Sequence, residues 1–521
     1  MAMRKALKGH GTGWIPRTGP GVRHRACLIG LGCLLAATAC IEKRVSLEEA
    51  KQVTVSVAAS SPVPPPRRVD DVLAVLSRRA PENSGKTAAL RSRADEAPPE
   101  TDDPGALARF FFQRGLEARD LSRYRQWLED HRRALENHKR ARTRGTRGLG
   151  GRDVAHLLVE LASVESVFGN IGRGIACLKQ SLRISAYNPM RKQSMLASLY
   201  FKSGNLKAGR KATEEGIRIC ERMLRGTKVS SGKKAQAEAQ KALMLAASLE
   251  VQGKYEEAEP FLRASIRLLA ELLGEQNRRA VLGKRRRLAR NLARQGLLVE
   301  AEIEIRGTLK AAVAFAGPES EEIPGTLAGF GQILMIQGRL EEAEKVLHAG
   351  VRILESSGFP VDCLVSGQIR RSLGSLAIAR EDFAGAMEQF KRIRELMQGN
   401  AYMRNQLLER NPDHILALLK TGRVRQATEV ISRLYRSALR RFGAERYRTV
   451  ELLGFRGMAH AMAGEERPAL EDFAASLPLL LDKRTTRDHM LRGKRLEAMV
   501  EVYLDLLARI HEDGRAGPLG I

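Results

Sequence analysis

After Pro104 the chain keeps to one hydrophobic rhythm. Apolar residues recur at steps of three and four, and the two-residue alternation of a half-buried strand is absent, so the pattern predicts helices throughout. The helices come in pairs, because the apolar runs are punctuated by turns that resemble one another. Gln252-Gly-Lys-Tyr-Glu-Glu-Ala258, Gln295-Gly-Leu-Leu-Val-Glu-Ala301 and Gln337-Gly-Arg-Leu-Glu-Glu-Ala343 are close copies. Weaker copies turn at Phe168-Gly169, Ser203-Gly204, Thr421-Gly422 and Ala463-Gly464, with Glu381 in the glycine position of another and Ser122 in a degenerate first one. The pattern predicts nine helical hairpins.

Glycine suits the end of the first helix, because a left-handed backbone carries no steric penalty there. Five residues later a small residue recurs: Gly174, Gly209, Ala258, Ala301, Ala343, Ala386, Ala427 and Ala469, broken only by Trp127. Seven residues before the turn the partner slot is small too: Gly115, Ala162, Ala197, Ala246, Ala289, Gly331, Gly374 and Gly457, with Ile415 the exception. Two small residues are expected to meet at each crossing, flanked by bulky Leu178, Leu262, Ile305, Leu347, Phe390, Ile431 and Phe473.

Small slots, bulky slots and turn together resemble the tetratricopeptide repeat (TPR). The resemblance covers Leu107 to Leu481, roughly three quarters of the chain, and implies an all-α solenoid of helical hairpins winding as a right-handed superhelix. From Gly169 successive turns lie 35, 49, 43, 42, 43, 41 and 42 residues apart, longer than the usual period of about 34. With the junctions Leu273-Gly274-Glu275, Ala316-Gly317-Pro318-Glu319 and Phe442-Gly443-Ala444-Glu445, this resembles the kinesin-light-chain type. The paired groove asparagines of that type are replaced here by Arg286 and Arg287, Ala328 and Gly329, and Arg371 and Ser372. Its peptide preference therefore does not carry over. Arg492 to Ile510 resembles the helix that leads from the repeats to the peptidase in bacterial TPR–CHAT proteins. The peptidase's His and Cys have no counterpart in this sequence, and His460 and His489 read as surface or packing residues.

Ahead of the array the composition changes twice. Arg4, Lys5, Lys8, Arg17, Arg23 and Arg25 precede a fourteen-residue apolar run, Ala26 to Ala39, too short to span a bilayer comfortably as a helix. Ala37-Thr38-Ala39-Cys40 resembles a bacterial lipoprotein processing box in which Cys40 would be acylated, although leucine is usual where Ala37 stands. A plain signal peptide and an uncleaved anchor are the other readings, and initiation nearer Val22 would leave a more ordinary leader. Residues 40–104, with Pro62, Pro64 to Pro66, Pro98, Pro99 and Pro104, read as an extended tether with one short helix from Val69 to Arg79. Ala80, Gly85, Lys86 and Thr87 fit a loose phosphate-loop pattern, but without further strands or loop glycines the match is fortuitous. The expected organisation is thus a signal segment at 1–39, a tether at 40–104, the array at 105–482, and a C-terminal helix and tail at 483–521.

Charge narrows the partner. The net charge is +28, from 88 Lys and Arg against 60 Asp and Glu, and is spread along helices rather than gathered in an arm. It favours acidic proteins and anionic lipid, and nucleic-acid binding is not expected. Cys177, Cys220 and Cys363 have no paired spacing, no metal or cofactor motif occurs, and no catalytic centre is visible. Counting back from the turns places Arg286, Arg290 and Arg294 along one groove-facing stripe, followed by Gln332, Gln368, Arg371 and Ser375 from the next two repeats. Such a stripe offers bidentate donors to an acidic peptide or a terminal carboxylate, and the same residues read equally as a solvated basic face. The function expected is a non-catalytic protein-interaction scaffold at a bacterial cell envelope, or else periplasmic or secreted. The alternative is the regulatory repeat half, or a remnant, of a CHAT-type cysteine protease system.

Overall fold

A computed structural model describes residues 68–77, 84–121, 123–273, 278–318, 320, 322–356, 359–482 and 490–512, and Cys40 and His489 lie outside them. Two short helices come first, α1 (Asp70–Ser77) and α2 (Ser84–Ala94), so Gly85, Lys86 and Thr87 fall in the first turn of a helix. The hairpins follow in order: α3 (Pro104–Asp120) with α4 (Tyr124–Thr143), α5 (Gly151–Val167) with α6 (Ile171–Ile184), and α7 (Pro189–Ser203) with α8 (Leu206–Arg225). Next come α9 (Ser231–Val251) with α10 (Tyr255–Leu273), α11 (Arg278–Gln295) with α12 (Leu298–Ala316), and α13 (Glu322–Ile336) with α14 (Leu340–Ser356). Then α15 (Leu364–Ala379) pairs with α16 (Phe383–Leu396). The first helix of the eighth hairpin is broken: α17 (Ala401–Arg404) runs into a π-turn at Asn405–Glu409, and Pro412 opens α18 (Pro412–Lys420), which pairs with α19 (Val424–Phe442). The ninth hairpin joins α20 (Tyr447–Met462) to α21 (Glu466–Leu481), and α22 (Met490–Glu512) ends the described chain. Among the described residues there is no strand, and the architecture is an all-α solenoid.

The turns obey the backbone logic read from the sequence. Gly169, Gly204, Gly253, Gly296, Gly338, Gly422 and Gly464 all have φ between +71° and +87°. Glu381 adopts the same conformation at φ +61°, at a cost of about 1–2 kcal/mol for a side-chain-bearing residue. Its carboxylate receives a bond from Lys494 Nζ at 2.6 Å.

Ala258, Ala301, Ala343, Ala386, Ala427 and Ala469 have no solvent-accessible surface. The partner slot differs in detail from expectation. A Cβ on Gly174 would lie 3.2 Å from the Ala162 carbonyl oxygen, so there two small residues do meet. A Cβ on Gly331 would instead lie 2.7 Å from the Leu347 side chain, and one on Gly374 lies 2.6 Å from Phe390. Helical side chains lean towards their own N-terminus, so the bulky residue one turn beyond the small slot reaches back and roofs the glycine. Gly331 makes room for Leu347 rather than for Ala343.

First and second helices divide the labour. α13 buries ten of its fifteen residues and α14 only six of seventeen, so first helices form the inner layer and second helices carry the outer surface. Consecutive hairpins are also stitched together. The residue before the turn reaches back to a glutamate on the previous second helix: Gln295 Nε2 to Glu259 at 2.8 Å, Gln337 Nε2 to Glu302 at 2.9 Å, and Arg380 to Glu344 at 2.9 Å.

The winding brings the array back on itself. Asn400 Nδ2 donates to the Phe168 carbonyl at 2.6 Å, and the Tyr402 hydroxyl donates to the Lys202 carbonyl at 3.0 Å. A Cβ on Gly169 would clash with Met403. Arg125 pairs with Asp362 at 3.1 Å, and Tyr124 packs on Phe359 with ring centroids 5.7 Å apart. Hairpins two and three thus abut hairpin eight, and hairpin one meets the segment between six and seven. The chain ahead of the array also spans this closure. Asp71 of α1 pairs with Arg306 of α12 at 2.7 Å, burying Val69 and Val72, while Arg93 of α2 pairs with Glu117 of α3 at 3.3 Å.

Replacing Ala343 by leucine overpacks a slot with no free surface, and is expected to cost roughly 1–3 kcal/mol. Neighbouring hairpins should loosen with it, because each covers its face only against the next. A thermal melt measures this, and an unchanged midpoint would show that the slot has room the geometry does not reveal.

Candidate functional site

The inner layer carries the cations that the sequence singled out, in two different states. Arg286 is committed to structure: it pairs with Glu322 of α13 at 2.8 Å, and its guanidinium lies over Gly325. Beside it Arg287 pairs with Glu250 at 2.7 Å and Arg285 with Glu304 at 2.6 Å. Gln332 donates to the Ser372 hydroxyl at 3.1 Å, and the Ser375 hydroxyl donates to Asp413. Arg286, Gln332 and Ser375 thus bridge one repeat to the next. Gln368 is half-buried on α15.

Arg290, Arg294 and Arg371 behave otherwise. No ion pair or hydrogen bond engages them among the described residues, and Arg290 and Arg294 are exposed. Desolvation nevertheless lowers the pKa of Arg290, with Arg286, Arg287 and Arg294 adding repulsion against Glu250. Desolvation likewise lowers that of Arg371, where Asp413 opposes and Arg294 reinforces the shift. Water-accessible groups that are still strongly desolvated face a cleft walled by protein rather than open solvent. Arg294 of hairpin five is one of the charges that act on Arg371 of hairpin seven.

The closure adds a residue that sequence reasoning missed. Lys202 of α7 is exposed and unpaired among the described residues, and desolvation together with Arg290 pushes its ammonium down. It stands two residues before its turn glycine, the slot that Arg294 fills in hairpin five, so the register itself carried the signal. Nearby, Lys284 is lowered to about 8 by desolvation, Arg191 and Arg287. The inner layer of hairpins three to seven thus carries a concentration of basic side chains.

The inner face of the later hairpins is occupied. Helix α22 folds back across α13, α15, α18 and α20, burying Leu491, Arg495, Met499, Leu506 and Ile510 along one face. Arg495 is its anchor, bonding Asp413 of α18 at 2.6 Å and Glu451 of α20 at 2.8 Å. Burial alone would raise the Glu451 carboxyl, but Arg495 and Arg448 hold it below its ordinary value. The same two carboxylates raise Arg495 against the opposing effect of its burial. This hub takes up Ser375 through Asp413, which is why the predicted groove stops there.

Among the described residues no group of three or more His, Cys, Asp or Glu is placed to hold a metal. Cys220 and Cys363 are buried, and desolvation pushes the Cys220 thiol up to about 11, away from the reactive thiolate. His460 is held by Glu465 and by Asp472. No helix among the described residues is long and apolar enough to cross a membrane.

Hairpins with a left-handed turn, buried small slots and an inner layer of first helices define a TPR-type repeat protein. No family model and no curated protein matches the chain. Among solved structures it is similar to BtubC (BKLC) from P. vanneervenii, at 18% identity over 45% of this chain and 91% of that one, with a TM-score of 0.32. It is similar also to a Rap protein complexed with competence and sporulation factor, at 13% identity over 61% and 81%, TM-score 0.44. A third is the apo form of the quorum sensor NprR from B. thuringiensis, at 12% identity over 71% and 98%, TM-score 0.42.

Removing Arg495 takes from the buried Asp413 its ion-pair partner and leaves Glu451 with Arg448 alone. Arg495→Ala is expected to cost about 3–5 kcal/mol and to free α22 from the inner face. Limited proteolysis should then cut within residues 490–512 before the array itself. Equal protection in both proteins would mean that the apolar face of α22 holds it without the hub.

Proposed function

We propose that the chain is a non-catalytic interaction scaffold whose basic cleft holds an acidic segment of a partner protein. The observation that carries this reading is the contrast between neighbouring arginines. Arg285, Arg286 and Arg287 each have a carboxylate, whereas Arg290, Arg294 and Arg371 have none among the described residues and repel one another. A carboxylate-bearing segment would supply the missing counter-charge, and the guanidinium groups offer it paired donors.

Reversal of Arg290 and Arg371 to glutamate should abolish capture of the acidic partner while circular dichroism stays unchanged, since neither side chain bonds another element among the described residues. Capture by the wild-type protein should weaken steeply as salt screens the cleft. Capture that survives both the double reversal and high salt would put the binding surface elsewhere.

The proposal extends to location. Cys40, in its lipoprotein-like box, would be acylated and hold the array at a bacterial envelope. Detergent partition tests this: wild type should enter the detergent phase, and Cys40→Ser should stay aqueous or remain unprocessed. Equal partition of the two would remove the lipid anchor. The second reading, a regulatory half or remnant of a CHAT-type protease system, rests on the sequence of α22. The docking of that helix back across the array favours the self-contained scaffold.

A further inference from the structure

We infer that the outer surfaces of hairpins three and eight form one face that docks on an anionic phospholipid bilayer, through the basic residues of α8 and α19 and the exposed Leu439 and Phe442 at the end of α19. This goes beyond the scaffold proposed above and does not depend on it. Arg290, Arg294 and Arg371 belong to first helices, in the inner layer, whereas these residues belong to second helices, in the outer one.

The second helices do not share the positive charge evenly. α10 and α14 each hold four Glu against two basic residues, and α12 holds three against two. α8 reverses this with six Lys and Arg against three Glu, and α19 goes further with five Arg against one Glu. Both helices turn the excess to solvent. Steps of three and four place Arg425, Glu429, Arg433, Arg436 and Arg440 on one exposed stripe of α19, opposite the buried Ile431. Lys207, Lys211 and Arg218 begin a matching stripe on α8, opposite the buried Gly209 and Gly216. Much of this charge is uncompensated. Among the described residues Lys207, Lys211 and Arg440 have no ion pair, and Arg436 bonds only the Ser432 carbonyl of its own helix, at 3.3 Å.

Closure makes neighbours of these two helices. The last turn of α19 meets the turn that opens α8: a Cβ on Gly204 would lie 2.9 Å from the Arg441 guanidinium, and Lys207 follows Gly204 by one helical turn. The Tyr402 hydroxyl holds the same turn through the Lys202 carbonyl at 3.0 Å. Arg441 also lies over the ring of Phe442, 5.1 Å from its centroid. The two stripes therefore run towards one another at the seam. The apolar residues decide the partner. Leu439 and Phe442 are 40% and 45% exposed, at the end of α19 that meets α8. A nucleic-acid backbone would satisfy the arginines and leave both side chains in water. A bilayer takes such side chains below its headgroups while the phosphates neutralise the cations around them.

Co-sedimentation of the full chain with vesicles of equal parts phosphatidylglycerol and phosphatidylcholine tests this, with pure phosphatidylcholine vesicles and a DNA duplex as comparisons. The leader and any acyl group are common to every variant, so differences between variants report on the array. Wild type should prefer the anionic vesicles, and added salt should weaken that preference. Each basic residue near such a surface strengthens binding roughly fivefold. Arg436→Glu with Arg440→Glu, and separately Lys207→Glu with Lys211→Glu, should each weaken anionic-vesicle binding about tenfold or more. The corresponding glutamine pairs should weaken it less. Leu439→Ser with Phe442→Ser should weaken it several-fold with every charge intact. Arg267→Glu with Arg352→Glu makes the same change of charge on the exposed faces of α10 and α14, and should bind close to wild type. The inference is overturned if that control pair weakens binding as much as either basic pair, since net charge alone would then be acting. It is overturned also if wild type binds both vesicles alike, if only one basic pair matters, or if losing Leu439 and Phe442 changes nothing. Tighter binding of the DNA duplex through the same residues would make the face a nucleic-acid surface instead. None of these variants touches Arg290 or Arg371, so capture of an acidic partner stands or falls separately.

Discussion

A helical hairpin can bury only one face within itself, and the other must be covered by the hairpin that follows. Here that constraint is met twice over. Alanine and glycine at the crossings bring helices close, and a bond from each turn back to the previous second helix sets the angle at which the next hairpin stacks. Gln295, Gln337 and Arg380 make that bond at nearly equal length to Glu259, Glu302 and Glu344. A fixed step repeated along a chain determines its curvature. The curvature of the middle hairpins returns hairpin eight to hairpins two and three, and the cleft is what lies within the turn.

The hairpins were legible in the sequence because each depends on short-range chemistry. A glycine at the turn, a small residue five later and a bulky one four beyond that are set by contacts within about forty residues, and the copies reinforce one another. Even the departures were readable: Glu381 takes the glycine's conformation at its turn. Long-range matters were not. Nothing local distinguishes Arg286, which pairs with Glu322, from Arg290, which has no ion pair among the described residues, because the difference lies in what the adjacent hairpin presents. Ser375, read as a groove residue, bonds Asp413, which in turn is bonded by Arg495, 82 residues further along the chain. Lys202 belongs with Arg290 only through a closure that no periodicity encodes.

The same distinction orders the charge. A chain this basic can satisfy its arginines wherever a glutamate is in reach, and along the outer and inter-repeat surfaces it does so. Arg306 alone engages Glu302 and Asp71. Arg495 is the extreme case, fully desolvated and held by two carboxylates. Against this background the unpaired cations of the cleft are set apart less by being basic than by the absence of the compensation found beside them. Arg290 and Arg371 are shifted downward, whereas the paired Arg495 is raised.

The segment that precedes the array has a consequence for the seam it spans. An exposed pair such as Arg125 with Asp362 contributes only about 0.2–1 kcal/mol, too little to hold distant hairpins together had they to find each other freely. With α1 bound to α12 and α2 to α3, only residues 78–83 separate the two anchored helices, so the hairpins they hold can part by no more than roughly 25 Å of extended chain. The two faces therefore meet at the high effective concentration of a short linker. Contacts that would be negligible between separate molecules suffice here, and a closure built from a few weak bonds can part and re-form without unfolding the array.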